Sequence, residues 1–148
     1  MIEIQDMTHP EIEALLDRVR YGHLACSNDN HPYVVPTHFA YDEQTIYVFT
    51  TEGRKSEMID ANPEVCLQVE DVIDSENWRS VIIVGDAEKL TDPDAREKAL
   101  AAIVSTNPNL SPALSFQWVD KWVRQQHDVE VIYRINRKTA TGKQAGGH

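Results

Sequence analysis

The amino-acid sequence predicts a mainly β protein with inserted helices, built as a six-stranded antiparallel barrel. Three observations lead there. Six runs carry apolar residues in strand fashion, turn residues join several of them over two or three positions, and helix start signals open the stretches between others. Links that short mean hairpins, because a parallel crossover takes about a dozen residues or more.

Thr8-His9-Pro10-Glu11 opens the first helix as a capping box, with a threonine N-cap, a proline where a missing N–H costs little, and a glutamate three residues on. Ile12, Leu15, Leu16 and Val19 follow at helical spacing, which gives an amphipathic helix of about three turns. Tyr21 to Ser27, Pro32 to Tyr41 and Thr45 to Thr51 read as strands separated by Asn28-Asp29-Asn30 and Asp42-Glu43-Gln44. A short helix spans 54–61 and stops at Asn62-Pro63. Val65 to Val72 and Arg79 to Leu90 are longer strands. Within the second, Val81-Ile82-Ile83-Val84 is apolar on both faces and therefore central, and Gly85 suits a bulge.

Thr91-Asp92-Pro93-Asp94 caps a third helix, with Leu100, Ile103 and Val104 as its inward stripe. From Asn107 to Gln126 the pattern loosens, and Trp118 and Trp122 stand one helical turn apart. Such a pair packs a core or a subunit interface, or covers a planar ligand. Val129, Val131, Tyr133 and Ile135 mark the last strand, and residues 137–148 are expected to form a flexible tail.

A chain of 148 residues can bury the core of one domain, 1–148, without disulfides or metals. The net charge of -10, from 14 basic and 24 acidic side chains, argues against nucleic acid and anionic membrane as partners, since both call for a basic face. Met1-Ile2-Glu3-Ile4-Gln5-Asp6 has neither a basic leader nor an apolar stretch, and no run approaches a membrane span, so a cytoplasmic location is expected. Cys26 and Cys66 lie in apolar strand patterns with no Cys-x-x-Cys or metal-spaced histidine, and read as reduced buried thiols with no metal site.

One stretch carries chemistry. Thr50-Thr51-Glu52-Gly53-Arg54-Lys55 begins where a strand stops and ends where a helix starts. Hydroxyls, free backbone amides and two adjacent cations at a helix N-terminus are the ingredients of a phosphate pocket. On local features alone the same triplet also fits a solvated turn.

Four segments, in order, add to this reading. They are Pro32-Tyr33-Val34-Val35-Pro36-Thr37-His38-Phe39-Ala40-Tyr41; Ile46 through Lys55; Asn62-Pro63-Glu64-Val65-Cys66-Leu67; and Trp78-Arg79-Ser80-Val81-Ile82-Ile83-Val84-Gly85-Asp86-Ala87. Their order and spacing span residues 8 to about 136, and Thr141-Gly142-Lys143 fits the same pattern. The sequence resembles the pyridoxamine 5'-phosphate oxidase-like FMN-binding split-barrel superfamily, and within it the nitroimidazole-resistance reductase-like branch.

The resemblance implies an FMN-binding split barrel, with Arg54 and Lys55 on the phosphate, Thr50, Thr51 and Ser80 as hydrogen-bond donors, and Val35, Pro36, Thr37 and His38 beside the flavin ring. It further implies a homodimer with the flavin at the subunit interface, where Trp118 would cover the flavin or pack the interface. The expected activity is reduction of a small acceptor, a nitroaromatic among the candidates, with electrons from NAD(P)H. A carrier or sensor without turnover, and a barrel using haem or a deazaflavin, remain open alternatives. Tyr33 and His38 stand where pyridoxal phosphate-forming oxidases carry a basic residue, and Gly53 where a serine is common, which implies a substrate other than pyridoxamine phosphate.

Overall fold

The computed structural model describes residues 2–50, 53–104 and 131–146. In chain order the elements are β1 (Ile4–Asp6), α1 (His9–Val19), β2 (Tyr21–Asn28), β3 (His31–Asp42), β4 (Thr45–Thr50), α2 (Arg54–Ala61), β5 (Glu64–Asp74), β6 (Asn77–Lys89), α3 (Pro93–Val104) and β7 (Val131–Ala145). The sheet runs β1-β7-β4-β3-β2-β5-β6, and β6 pairs back onto β7. Every pairing is antiparallel, so six strands close into a barrel, as expected.

Two features differ from the sequence expectation. The short β1 adds a seventh strand by pairing with the end of β7, from Ile4 opposite Ala145 to Asp6 opposite Lys143. The expected tail over 137–148 is instead strand as far as Ala145, laid along β6. The alternation that marks a half-buried strand is weak in Lys138-Thr139-Ala140-Thr141-Gly142-Lys143, because only its partner strand and α1 tell its inner face from its outer one. The ladder slips between Val84 and Gly85, where β7 spends an extra residue. A Cβ on Gly85 would lie 2.4 Å from the Asn136 carbonyl oxygen, so the bulge needs a glycine at this close approach.

The core fills the barrel. Leu24, Phe39, Ile46, Leu67, Val81 and Tyr133 point inward, and α1 and α2 contribute Leu15, Leu16, Met58 and Ile59 to the same cluster. α1 starts at its capping box, with Thr8 Oγ1 accepting from the Glu11 amide at 3.4 Å and Glu11 accepting from the Thr8 amide at 2.9 Å. α3 starts on Asp92, whose carboxylate accepts from the Ala95 amide at 2.9 Å. Outside the barrel α3 packs on β3, and Ala99 and Ala102 join Ala40, Tyr47, Phe49 and Ile132 in a second cluster. Its buried stripe is therefore alanine, with Leu100 only partly buried; the side chains of 103 and 104 lie outside the described residues. Small side chains let the helix approach the sheet closely.

Two of the three tight hairpins place two residues in the left-handed region: Asp29 and Asn30 at φ 50° and 63°, Glu43 and Gln44 at φ 49° and 69°. The first pair suits that conformation and the second does not, since side chains other than Asn, Asp and Gly crowd the backbone there. Glu43→Asn combined with Gln44→Gly should raise the unfolding free energy by about 1 kcal/mol, read from urea denaturation midpoints at constant slope.

Candidate functional site

The barrel is split between β3 and β4. The two strands pair from Phe39 opposite Val48 to Asp42 opposite Thr45, whereas β4 continues along β7 through Phe49 and Thr50. From His31 to His38, β3 is held on its other side by β2. The Phe39 amide donates to the Arg20 carbonyl on the β2 side at 3.2 Å. Backbone groups alternate sides along a strand, so His38 turns its N–H and C=O toward the split. The carbonyls of Val34 and Pro36 face the same way by the same alternation. Pro32 and Pro36 also fall on that side, where a missing N–H removes no bond to β2.

Past the end of β4, Gly53 leads into α2. The Gly53 amide donates to Ser56 Oγ at 2.9 Å, and the Glu57 amide donates to the Gly53 carbonyl at 3.0 Å. Gly53 itself is extended at φ 170°, and no atom lies within 4 Å of a Cβ built there, so the backbone does not require a glycine. Arg54 is exposed and lies over the Tyr33 ring, 5.3 Å from its centroid. Lys55 is half-buried beside Cys26. Among the described residues neither cation takes part in an ion pair, although Arg18, Arg20, Arg79, Lys89, Arg134, Arg137, Lys138 and Lys143 all do. Burial pushes the Lys55 ammonium below the ordinary lysine value, and burial pushes the Cys26 thiol up, so the thiol stays neutral near pH 7. A partly desolvated cation outside any described ion pair, at the positive end of a helix, favours an anion.

His38 differs from its neighbours. Val35 is half-buried and Pro36 exposed, whereas Thr37 is buried and donates through Oγ1 to the His38 carbonyl at 3.4 Å. The His38 ring is only 2% exposed, and neither of its nitrogens has a hydrogen-bond partner among the described residues. Burial, and secondarily the Arg20 guanidinium, lowers its pKa to about 4, so the ring is neutral at physiological pH.

The expected site residues therefore fall into two groups. Val35, Pro36, Thr37 and His38 border the split; Thr50 ends β4, and Arg54 and Lys55 begin α2 after it. Ser80 belongs elsewhere: it sits on β6, three strands from β3, about 14 Å along the sheet. There its hydroxyl accepts from Gln68 Nε2 at 3.2 Å. Thr51, Trp118 and Trp122 lie outside the described residues. Sequence reasoning missed Tyr33 as the seat of Arg54 and Gln68 as the partner of Ser80. Tyr33 could have been found from the hairpin register, which sets it opposite Cys26.

The profile described as Pyridoxamine 5'-phosphate oxidase matches residues 8–144. The chain belongs to that family. It is similar to an FAD-binding protein of Mesorhizobium loti, with 28% identity over 99% of this chain and 100% of the other and a TM-score of 0.75. An FAD-binding protein of Mycobacterium smegmatis is 22% identical over 96% and 99% of the two chains, with a TM-score of 0.69. A candidate 5-nitroimidazole antibiotic resistance protein of Bacteroides thetaiotaomicron is 22% identical over 99% and 92%, with a TM-score of 0.70. These last two likenesses speak for the fold. A curated relative, an uncharacterized protein of Rhizobium meliloti, is 29% identical over 59% of this chain and 58% of its own length.

In this pyridoxamine 5'-phosphate oxidase family member the split edge of β3 turns backbone donors and acceptors outward, and the start of α2 carries two cations that join no ion pair among the described residues. No described helix is long and apolar enough to cross a membrane.

The buried neutral histidine also sets an acid limit. Its folded-state pKa of about 4 lies below the ordinary histidine value of 6.5, so the unfolded chain takes up the proton first as pH falls. Its stability contribution is complete above pH 6.5 and lost on the way down to pH 4. The wild type minus a His38→Asn variant should lose about 3 kcal/mol of unfolding free energy across that interval, measured by denaturant titration at each pH.

Proposed function

We propose that this chain is a flavoprotein of its family, a flavin-dependent oxidoreductase that reduces a small acceptor with electrons from NAD(P)H. The observation that carries the reading is the unpaired Arg54-Lys55 pair at the start of α2, which follows directly on the strand that leaves the split. The FAD bound by the relative from Mesorhizobium loti supports a flavin as the occupant. The group held is the flavin mononucleotide, either FMN itself or the corresponding half of FAD.

In this reading Arg54 and Lys55 hold the phosphate through charge-assisted hydrogen bonds. Thr50, and Thr51 beside it, supply hydroxyls. The His38 amide and the Pro36 carbonyl face the polar rim of the ring, and the buried Thr37 side chain ties down the same stretch of β3. A bound flavin supplies the redox chemistry, accepting hydride from the nicotinamide and passing electrons on. The chain's own contribution is to orient the ring, exclude water from one face and fix the charge at the phosphate end. Among the described site residues no acidic side chain borders the split, which suits an acceptor that takes protons from solvent.

A homodimer belongs to the same proposal. Val72, Ile82 and Val84 share the outer face of β5 and β6 with Trp78, and Val72 and Ile82 are 59% and 43% exposed. An apolar sheet face of this kind suits a partner surface. A second copy would also bring a Ser80 hydroxyl to a flavin that the first chain's own Ser80 is too far away to reach. Nitroaromatics are the acceptors to test first.

Protein purified without added cofactor and then titrated with FMN should show flavin absorption bands that shift on binding. Arg54→Ala with Lys55→Ala should weaken FMN binding about 100- to 10,000-fold, because each charged hydrogen bond is worth about 1.5–3 kcal/mol, while the circular dichroism spectrum stays unchanged. Equal affinity in the folded double variant would refute the phosphate assignment. The loaded wild type should oxidise NADH or NADPH, faster with a nitroaromatic present; flavin bound without any turnover would leave a carrier or sensor.

A further inference from the structure

Arg54 and Lys55 are adjacent at the start of a helix, where neighbouring side chains point about 100° apart, so α2 by itself would splay them. The β2–β3 hairpin supplies a seat for each. Cys26 and Tyr33 stand opposite one another in its ladder, and such partners lie about 5 Å apart. Arg54 lies over the Tyr33 ring, 5.3 Å from its centroid, and Lys55 is half-buried beside Cys26. One cross-strand pair therefore receives both cations. Tyr33 is itself packed against the barrel core, and Asn62 at the end of α2 donates to the Ser27 carbonyl of β2 at 3.0 Å, which ties platform and helix to one frame.

These seats are uncharged, unlike those of most described arginines. Arg18, Arg20, Arg134 and Arg137 rest on the carboxylates of Asp71, Asp17, Glu88 and Glu13 at 2.7–2.8 Å. A carboxylate fixes a guanidinium but neutralises its charge and occupies its N–H donors. The face of a phenol ring fixes it by cation–π attraction and leaves the donors at the guanidinium edge free for another acceptor. Asp29 and Glu57 border the same rim as Arg54, yet neither pairs with it among the described residues. The Cys26 thiol, kept neutral by burial, is the corresponding neighbour of Lys55.

We propose that Tyr33 is a positioning residue for the phosphate corner: its ring face holds the Arg54 guanidinium in place, with charge and donors intact, before the anion arrives. The proposal rests on the flavin reading above and deepens it by naming what sets the affinity of that corner. A free arginine side chain gives up rotamer freedom when it grips a ligand, and one that is already seated has less to give up.

Dissociation constants for FMN and for riboflavin, which has the ring but no phosphate, test this by fluorescence titration of the purified full chain. Tyr33→Leu keeps apolar bulk without a ring face and should weaken FMN about two- to fivefold, the range of an exposed cation–π contact, with riboflavin unchanged. Tyr33→Phe keeps the face and should bind FMN as the wild type does. Tyr33→Glu seats Arg54 on a carboxylate instead and should weaken FMN more than Tyr33→Leu does. In a chain that already carries Arg54→Ala, Tyr33→Leu should have no further effect, because the two residues act as one unit. A Tyr33→Phe variant as weak as Tyr33→Leu, a Tyr33→Glu variant as tight as the wild type, a riboflavin loss equal to the FMN loss, or Tyr33→Leu and Arg54→Ala losses that multiply would overturn the seat and leave the flavin reading in place. Binding of neither flavin by the wild type, or FMN held no tighter than riboflavin, would overturn both.

Discussion

The antiparallel ladder between β6 and β7 is the constraint on which the rest of the structure depends. It runs from Trp78 opposite Ala145 to Lys89 opposite Tyr133 and turns an open sheet into a closed ring. β7 is shared, its residues Val131 to Ile135 pairing with β4 and Tyr133 to Ala145 with β6. β4 is drawn along β7 through Thr50, while β3 stays with β2 as far as His31. The opening between β3 and β4 is thus a product of how the barrel closes.

Closure also explains why the charged networks sit where they do. Arg137, just after the slip in the β6–β7 ladder, donates to Glu13 of α1 at 2.7 Å and to the Gln44 carbonyl at 2.6 Å. Tyr41 donates to the same Glu13 at 2.6 Å. These contacts tie the bulged strand, the β3–β4 turn and α1 into one corner, with the Glu13 carboxyl held below its ordinary value. Burial of Glu13 works in the opposite sense and is outweighed by Arg137 and Tyr41 together. Among the described residues the cations at the start of α2 are therefore exceptions, since most of the others are committed to ion pairs.

What the sequence disclosed follows the range of the interactions. The capping box of α1, the end of α2 at Asn62-Pro63, the turn Asn28-Asp29-Asn30 and the glycine bulge at Gly85 all depend on residues a few positions apart, and they were legible. The length of β7 was not, because Lys138 to Ala145 are strand only by virtue of β6 and α1. The burial of His38 depends on the outer side of β3 being covered, which no local pattern records. Ser80 was grouped with the β3 residues by resemblance, and only the strand order shows that β6 lies three strands, about 14 Å along the sheet, from β3. One local signal went unread. Pro32 and Pro36, four residues apart on β3, already mark the side of that strand that forgoes a ladder.

The arrangement of the two half-sites carries an argument of its own. The corner at Arg54 and Lys55 has charge but little enclosure; the outer face around Ser80, Gln68 and Ile82 has a placed hydroxyl and exposed apolar surface but no free cation, since Lys143 beside Ser80 is engaged with Asp6. Neither half alone would both neutralise a phosphate and shield a flat ring from water. A flavin needs both at once, because charge-assisted bonds strengthen as water is excluded. On the proposed reading a second copy would supply what the split lacks in cover from its β5–β6 face. A monomer that bound flavin through its phosphate corner alone would leave one face of the ring wet, and electron transfer from that face would be open to any oxidant in solution. On the proposed reading, assembly and substrate choice are therefore set by the same surface.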